Sequence, residues 1–129
     1  AMECEAVILD EPTAGQDLYG IELLHNIIAE LHAQGKTVIT ITHDIEFAAE
    51  NFQRIVVMAH RQILKDGTPE EVFADEPVLN EAMLKGPCSG RLARRLNLHG
   101  EILTNEQFLD AFCRIYERGA SNEVINKEE

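Results

Sequence analysis

Short apolar runs alternate with helical periods in the first part of the chain. The four apolar residues at positions 6–9 run directly into Asp10 and Glu11, and a continuous run of this kind predicts a strand that is buried on both faces. The β-branched run Thr37–Ile41 predicts a second buried strand. Between them, apolar residues at helical spacing predict one stripe on a helix: Leu24, Ile27, Ile28 and Leu31.

Capping residues define the helix that joins the two strands and the helix that follows the second strand. Asp17 is a suitable N-cap for the first helix, and Gly35 suits its C-terminal end. Asp44 is placed to cap a short helix over Ile45–Asn51. His25 and His32 lie one heptad apart on the first helix, and we interpret both as part of its solvated face.

A hairpin is predicted next. Strand-like runs at 54–59 and 62–65 flank His60 and Arg61, which is typical of two strands joined by a tight turn. Thr68, Pro69 and Glu71 then have the spacing of a capping box with proline in the first turn, so a helix is expected to start there.

The remaining chain predicts a helical tail. A short amphipathic run at 78–84 precedes a basic segment at 91–96, which indicates either a solvated helix face or a contact to an acidic partner surface. A second capping box starts at Thr104 and opens a helix that we expect to end at Gly119. Its apolar side predicts local core and comprises Phe108, Leu109, Phe112, Ile115 and Tyr116.

Polar side chains follow both strands of the predicted parallel sheet. Asp10 and Glu11 end the first strand, and His43 follows the second. Ligands of open α/β sheets bind at this carboxyl edge. At a phosphate site one carboxylate can hold Mg²⁺, the next can polarise a water, and an imidazole can donate to a phosphate oxygen. An acidic turn and a structural histidine are the alternatives.

Three ordered motifs carry a resemblance to a known family. AVILDEPT resembles the Walker B strand and catalytic glutamate of ATP-binding-cassette (ABC) ATPases, and TITHD at 40–44 resembles their switch-histidine loop. The resemblance implies that Asp10 binds Mg²⁺, directly or through water. It implies that Glu11 is the general base or water-orienting residue, and that His43 contacts the γ-phosphate of ATP.

The segment AGQD resembles the D-loop of the same family. By this resemblance Asp17, with the three residues before it, crosses the interface between two ATPase subunits and contributes to the cofactor-binding site. Gln16 and Leu18 stand where many relatives carry leucine and proline, and these two differences leave the geometry of the D-loop open.

The last third of the chain is similar to one subfamily. The order of LARRLNL and EILTNEQFLDAF resembles the C-terminal extension of energy-coupling-factor ATPases, which power vitamin and metal-ion uptake. The implied partners are a second ATPase subunit, identical or different, and a transmembrane transporter subunit. The implied cofactors are ATP and Mg²⁺, and the implied location is the cytoplasmic face of the cell membrane.

Two family motifs do not occur in the sequence. It contains no GxxxxGK[ST] phosphate loop and no LSGGQ-like signature. We therefore expect the C-terminal part of an ABC ATPase, inactive by itself. Residues 1–74 would belong to the ATPase core, 75–119 to a helical extension and 120–129 to a polar tail. The expected fold is α/β, with a partial parallel sheet, a hairpin and a helical tail.

Composition narrows the classes of partner. The formal net charge of −12 argues against nucleic acid or an anionic membrane surface as a direct partner. The three cysteines lack metal-ligand spacing and suggest reduced thiols. No signal peptide is visible, and no apolar run approaches the roughly 20 residues of a membrane span.

Two other functional classes stay open at this stage. One is an ABC-type ATPase that acts on nucleic acid or ribosomes, and the other is an inert fragment or interaction module.

In the family that the motifs resemble, a phosphate-loop strand lies between Thr37–Ile41 and the strand at 54–59. Without that strand two apolar edges lack a partner. Either the two flanking strands close the gap within one chain, or a second copy covers them, and we expect self-association.

Overall fold

The computed structural model describes residues 4–98, 100 and 102–125, with side chains described as far as residue 115. The chain forms two compact units, one within residues 1–51 and one within residues 52–129. Within the described residues the strands form two separate two-stranded sheets, one in each unit. The expected fold class, a small parallel sheet followed by a hairpin and helices, is confirmed.

The first unit is a parallel βαβ motif followed by a short helix. Its elements are β1 (Ala6–Asp10), α1 (Leu18–Ala33), β2 (Thr37–Ile41) and α2 (Ile45–Asn51). The two strands pair in parallel from Ala6 opposite Thr37 to Asp10 opposite Ile41. Asp17 caps α1 as predicted, because its carboxylate accepts a hydrogen bond of 2.8 Å from the backbone N–H of Gly20.

The parallel sheet is covered less than its sequence predicts. Val7 and Leu9 are half-buried on one face, whereas Ile8, Ile39 and Ile41 are 67%, 49% and 57% exposed. The expectation that both strands are buried on both faces is therefore wrong. A continuous apolar run is typical of a strand that other layers of the protein cover on both faces. In the described chain no such layer covers the face that carries these isoleucines.

That face leads to the first prediction. We expect the purified 129-residue chain to dimerise or oligomerise at micromolar concentration, because exposed β-branched residues beside unpaired strand edges favour association. Light scattering measures the mass in solution. An Ile8→Thr/Ile39→Thr variant, with unchanged charge and β-branching, should shift the equilibrium towards monomer. A wild-type protein that stays monomeric would contradict the prediction.

His25 is part of the packing between α1 and α2. Its ring meets the buried Phe47 edge-on, with the centroids 5.3 Å apart. Its Nε2 lies 3.8 Å from a carboxylate oxygen of Glu50. The interpretation of His25 as part of a solvated face is wrong, because α2 returns along this side of α1. His32 is exposed, as expected.

The second unit begins with the predicted hairpin, formed by β3 (Ile55–Ala59) and β4 (Gln62–Gly67). The strands pair antiparallel, and Arg54 makes a two-pronged contact of 2.7 and 2.8 Å to Asp66 across their open end. His60 and Arg61 form the turn at φ 51° and 65°. These left-handed angles are typical of a two-residue turn that usually contains glycine.

Three short helices follow: α3 (Pro69–Ala74), α4 (Glu76–Glu81) and α5 (Cys88–Arg95). The capping box of Thr68 and Glu71 is confirmed. The other predicted bounds are wrong. Asp75 caps α4, which begins two residues before the predicted run at 78–84, and α5 begins three residues before the predicted segment at 91–96. The buried side chains of this unit include Val57, Val72, Phe73, Leu79, Ala93 and Ile102.

Close backbone packing holds α5 against the chain that leads to the last helix. A Cβ atom on Gly90 would come within 2.6 Å of the carbonyl oxygen of Ile102, so only glycine allows this approach. The buried hydroxyl of Ser89 donates to the carbonyl oxygen of Leu103 at 2.7 Å. These contacts fix the position of α5 within the second unit.

The last helix, α6 (Asn105–Ile125), opens with the predicted capping box between Thr104 and Gln107. Two expectations about it are wrong. The helix continues through Gly119, and its apolar side is not local core, because Leu109, Phe112 and Ile115 are 59%, 45% and 50% exposed. The side chain of Tyr116 and residues 126–129 of the expected polar tail lie outside the described part of the chain.

Candidate active site

The candidate site lies where the parallel sheet ends. The backbone N–H of Glu11 donates to the carbonyl oxygen of Ile41 at 2.8 Å, which continues the strand pairing one residue beyond Asp10. Glu11 then adopts a left-handed conformation with φ 45°. The following turn is closed by a 3.1 Å hydrogen bond from the N–H of Ala14 to the carbonyl oxygen of Glu11.

Donors from the loop after β2 converge on one oxygen of Glu11. The Nδ1 of His43 lies 2.8 Å from Oε2 of Glu11. The same oxygen is 3.3 Å from the hydroxyl of Thr42 and 3.4 Å from the backbone N–H of His43. Parallel pairing of the strands that precede these residues brings groups 31 and 32 positions apart into one cluster.

Thr42 is a site residue to which the sequence analysis assigned no role. Its hydroxyl donates to Glu11 and accepts a 3.0 Å hydrogen bond from the backbone N–H of Asp44. Asp44 in turn caps α2 through the N–H of Phe47 at 3.0 Å, as predicted. Threonine hydroxyls often accept a hydrogen bond from the backbone N–H two residues later and so close a short turn. The position of Thr42 two residues before the N-cap Asp44 was the sequence signal for this turn.

Contact between Glu11 and His43 alters the protonation of both groups. The hydrogen bond from the His43 ring, opposed by partial burial, lowers the pKa of Glu11. The same bond, reinforced by the charge of the carboxylate, raises the pKa of His43. The imidazole side chain is 81% exposed, so salt screens the pair. Both shifts therefore favour the ionised form of Glu11 beside the protonated form of His43.

The second prediction concerns the pH range of this pair. His43 should keep its proton above the ordinary histidine pKa of about 6.5, and the contact should be lost as pH rises through that raised pKa. At the acid end it should be lost as pH falls through the lowered pKa of Glu11. Ring-proton NMR titration of the 129-residue chain measures the upper limit.

A Glu11→Gln variant tests the cause of that shift. Glutamine keeps the size of the side chain and removes its charge, so the pKa of His43 should fall towards the ordinary value. The ring signals of the exposed His32 on α1 serve as an internal control. Identical His43 titration in the two proteins would show that the pair does not form in solution.

The other two acidic residues of the predicted site have different surroundings. Asp10 is exposed at the end of β1, and its carboxylate has no hydrogen-bond or ion-pair partner among the described residues. The carboxylate of Asp17 is held by its N-cap contact to Gly20 in its own helix. The structure thus brings Glu11 and His43 together and gives Asp17 a local structural contact.

Comparisons with known proteins identify relatives over most of the chain. The energy-coupling factor transporter ATP-binding protein EcfA2 of Mycoplasmopsis synoviae is 37% identical over 131 aligned residues, which cover 99% of this chain and 42% of that protein. The corresponding EcfA protein of Methanocaldococcus jannaschii is 38% identical over 97 residues, or 75% of this chain and 35% of that protein. No protein-family model matches the sequence.

A solved structure agrees with these relatives. The structure of cbiO1 from Clostridium perfringens, described as part of the ABC transporter complex cbiONQ, matches with a TM-score of 0.51 and 31% sequence identity. The match covers 72% of this chain and 36% of that one. The chain belongs to the ABC ATPase family. Its relatives include ATP-binding proteins of the energy-coupling-factor type, and it spans less than half the length of the relatives described above.

Membership of the ABC ATPase family implies Mg²⁺, and the chemistry of Asp10 fits that ion. Mg²⁺ is usually bound by one or two carboxylates together with waters and substrate phosphates. The exposed, unpartnered carboxylate of Asp10 can supply one such ligand. Within the described residues, no cluster of three or more histidine, cysteine, aspartate or glutamate side chains could hold a metal by itself.

The cysteines carry no metal or disulfide role in the described structure. Cys4, Cys88 and Cys113 are all exposed, and no disulfide joins them. In the described part of the chain, no helix combines the length and the apolar character that a membrane crossing requires.

Proposed function

We propose that this chain is the C-terminal part of the ATP-binding subunit of an energy-coupling-factor importer, whose intact form hydrolyses ATP to drive uptake of a small solute. The observation that carries the proposal is the 2.8 Å contact between His43 and Glu11 at the end of the parallel sheet. This contact joins two separate family motifs in one cluster. Relatives named as transporter ATP-binding proteins support the proposal.

Each residue of the cluster has a proposed role in ATP hydrolysis. Glu11, whose lowered pKa keeps it ionised at neutral pH, accepts a hydrogen bond from the attacking water and orients it. His43 carries exchangeable protons at an exposed ring and donates to the γ-phosphate. Thr42 positions Glu11 through its hydroxyl. Asp10, outside this cluster, would hold Mg²⁺, which would neutralise developing charge on the phosphates.

The proposed partners follow from the same class of protein. A second ATPase subunit, identical or different, would face the D-loop at residues 14–17, and a transmembrane subunit would hold the pair at the cytoplasmic face of the membrane. The net charge of −12 disfavours a nucleic-acid partner. The D-loop role of Asp17 would add to its capping of α1.

The coding sequence upstream of this chain provides the test. A GxxxxGK[ST] loop is expected in frame before it, together with an LSGGQ-like signature and a neighbouring gene for a membrane subunit. The longer protein should hydrolyse ATP and purify with that membrane subunit. An upstream sequence without a phosphate loop would contradict the ATPase proposal. A phosphate loop without a membrane partner would contradict transport alone.

A further inference from the structure

A cavity of about 660 Å³ in the second unit lies between α4 and α5 and is separate from the candidate active site. Leucines at 79, 84 and 92 give it an apolar floor. Its charged lining consists of one carboxylate, Glu76, and four cations: Lys85, Arg91, Arg94 and Arg95. Leu79 is almost completely buried, whereas Leu92 is 43% exposed and available for contact.

Charge is strongly segregated around this cavity. Residues 82–100 hold four of the 11 lysines and arginines of the chain and none of its 23 aspartates and glutamates. The whole chain has a formal charge of −12. The cavity is therefore a local basic site on an acidic protein, and its field attracts acidic groups.

Three of the four cations of the cavity differ in their pairing from most other cations of the described structure. Arg94 contacts Glu76 at 2.9 Å at the cavity edge. Within the part of the chain that is described, Arg54, Lys65 and Arg114 also have carboxylate partners, but Lys85, Arg91 and Arg95 have none. Three neighbouring positive charges thus have no carboxylate partner among the described residues.

Helix stability explains only part of this arrangement. Arginines in the last turn of α5 are favourable beside the negative end of the helix dipole. Arg91 lies before that turn and four residues from Arg95, a spacing at which like charges destabilise a helix. Lys85 precedes the helix altogether. A ligand that neutralises these groups would offset their repulsion.

We propose that this cavity is a docking site for an acidic amphipathic segment of a partner protein. Carboxylates of the segment pair with Lys85, Arg91 and Arg95, and its apolar side chains contact the leucine floor. Inorganic phosphate could use the cations but not the floor, and the charge of the remaining chain repels a nucleic acid. The proposal concerns a surface apart from Glu11 and His43 and does not depend on ATP hydrolysis.

Fluorescence polarisation with the 129-residue chain tests the proposal. The probe is a short fluorescein-labelled peptide in which pairs of glutamates alternate with leucines, and its glutamine counterpart is the uncharged control. We expect saturable binding of the acidic peptide at micromolar concentration, weakened by added salt. Arg91→Gln/Arg95→Gln should weaken it about tenfold, because two exposed charge pairs together contribute roughly that factor.

Matched variants separate the two parts of the site. Arg114→Gln removes an exposed helical arginine outside the cavity and should leave binding unchanged. Leu92→Gln should weaken binding several-fold without a change in charge. Circular dichroism of each variant establishes that the fold is retained, as expected for exposed positions.

Several outcomes would overturn the proposal. They are no saturable binding, equal binding by the charged and uncharged peptides, and no effect of the arginine double variant. If Leu92→Gln bound the peptide with unchanged affinity, or if inorganic phosphate displaced the peptide as well as unlabelled peptide does, the cavity would be a general anion site. Displacement of the peptide by a single-stranded oligonucleotide at equal concentration would favour nucleic acid. Loss of self-association in the double variant would identify a second copy of this chain as the occupant.

Discussion

In a longer protein with a complete nucleotide site, Glu11→Gln is expected to lower ATP turnover about 10²-fold or more, the size typical of losing a general base. Glutamine keeps the length of the side chain and can still accept a hydrogen bond from Thr42, whose hydroxyl lies 3.3 Å from Glu11 in the structure. It cannot take a proton from water or attract a protonated His43. ATP should therefore still bind, and the nucleotide-bound pair of subunits should accumulate.

Steady-state turnover and nucleotide binding must be measured on the same preparation. Glu22→Gln is a matched control, because Glu22 is an exposed carboxylate on α1 and should leave the rate unchanged. If Glu11→Gln turned over ATP at a near wild-type rate, Glu11 would not be the residue that activates water. Equal loss of binding and turnover would instead indicate a structural role.

The 129-residue chain alone is expected to show no measurable Mg-ATP binding at micromolar nucleotide. In phosphate-loop ATPases most of the affinity comes from backbone N–H groups and a lysine that surround the phosphates, and this sequence contains no GxxxxGK[ST] motif. Asp10 and Glu11 offer negative charge, which repels the anion unless Mg²⁺ lies between them.

Isothermal titration calorimetry checks this expectation directly. Mg²⁺ without nucleotide serves as a control for weak ion binding to Asp10. An Asp10→Asn variant distinguishes that ion binding from binding elsewhere on the acidic surface. A micromolar dissociation constant for Mg-ATP would mean that the chain holds a nucleotide site outside the known motifs of the family.

The positions of the site residues could be predicted because they depend on a general property of parallel sheets. The apolar run before Asp10 and the β-branched run before His43 each predict a strand, and the carboxyl ends of parallel strands share one edge. The 2.8 Å contact between Glu11 and His43 could not be predicted. It depends on the left-handed turn at Glu11 and on the loop of Thr42, neither of which has a strong sequence signal.

Burial was predicted less well than secondary structure. The isoleucines of the parallel sheet and the apolar side of α6 were expected to be core, yet Ile8, Leu109 and Ile115 are at least half exposed. Periodicity identifies the apolar face of an element but contains no information about what covers it. The start of the short helix α4 was predicted wrongly for a related reason. The N-cap Asp75 determines where this helix begins, whereas the prediction used the spacing of apolar residues.

The left-handed backbone of Glu11, at φ 45°, has a consequence for protein engineering. Glutamate rarely adopts this conformation, whereas glycine adopts it at no steric cost and asparagine tolerates it. A library selected only for resistance to heat would therefore enrich replacements that delete the carboxylate at this position. Selection for thermal stability would favour replacement of Glu11, whereas selection for the chemistry proposed at the sheet edge would retain its carboxylate.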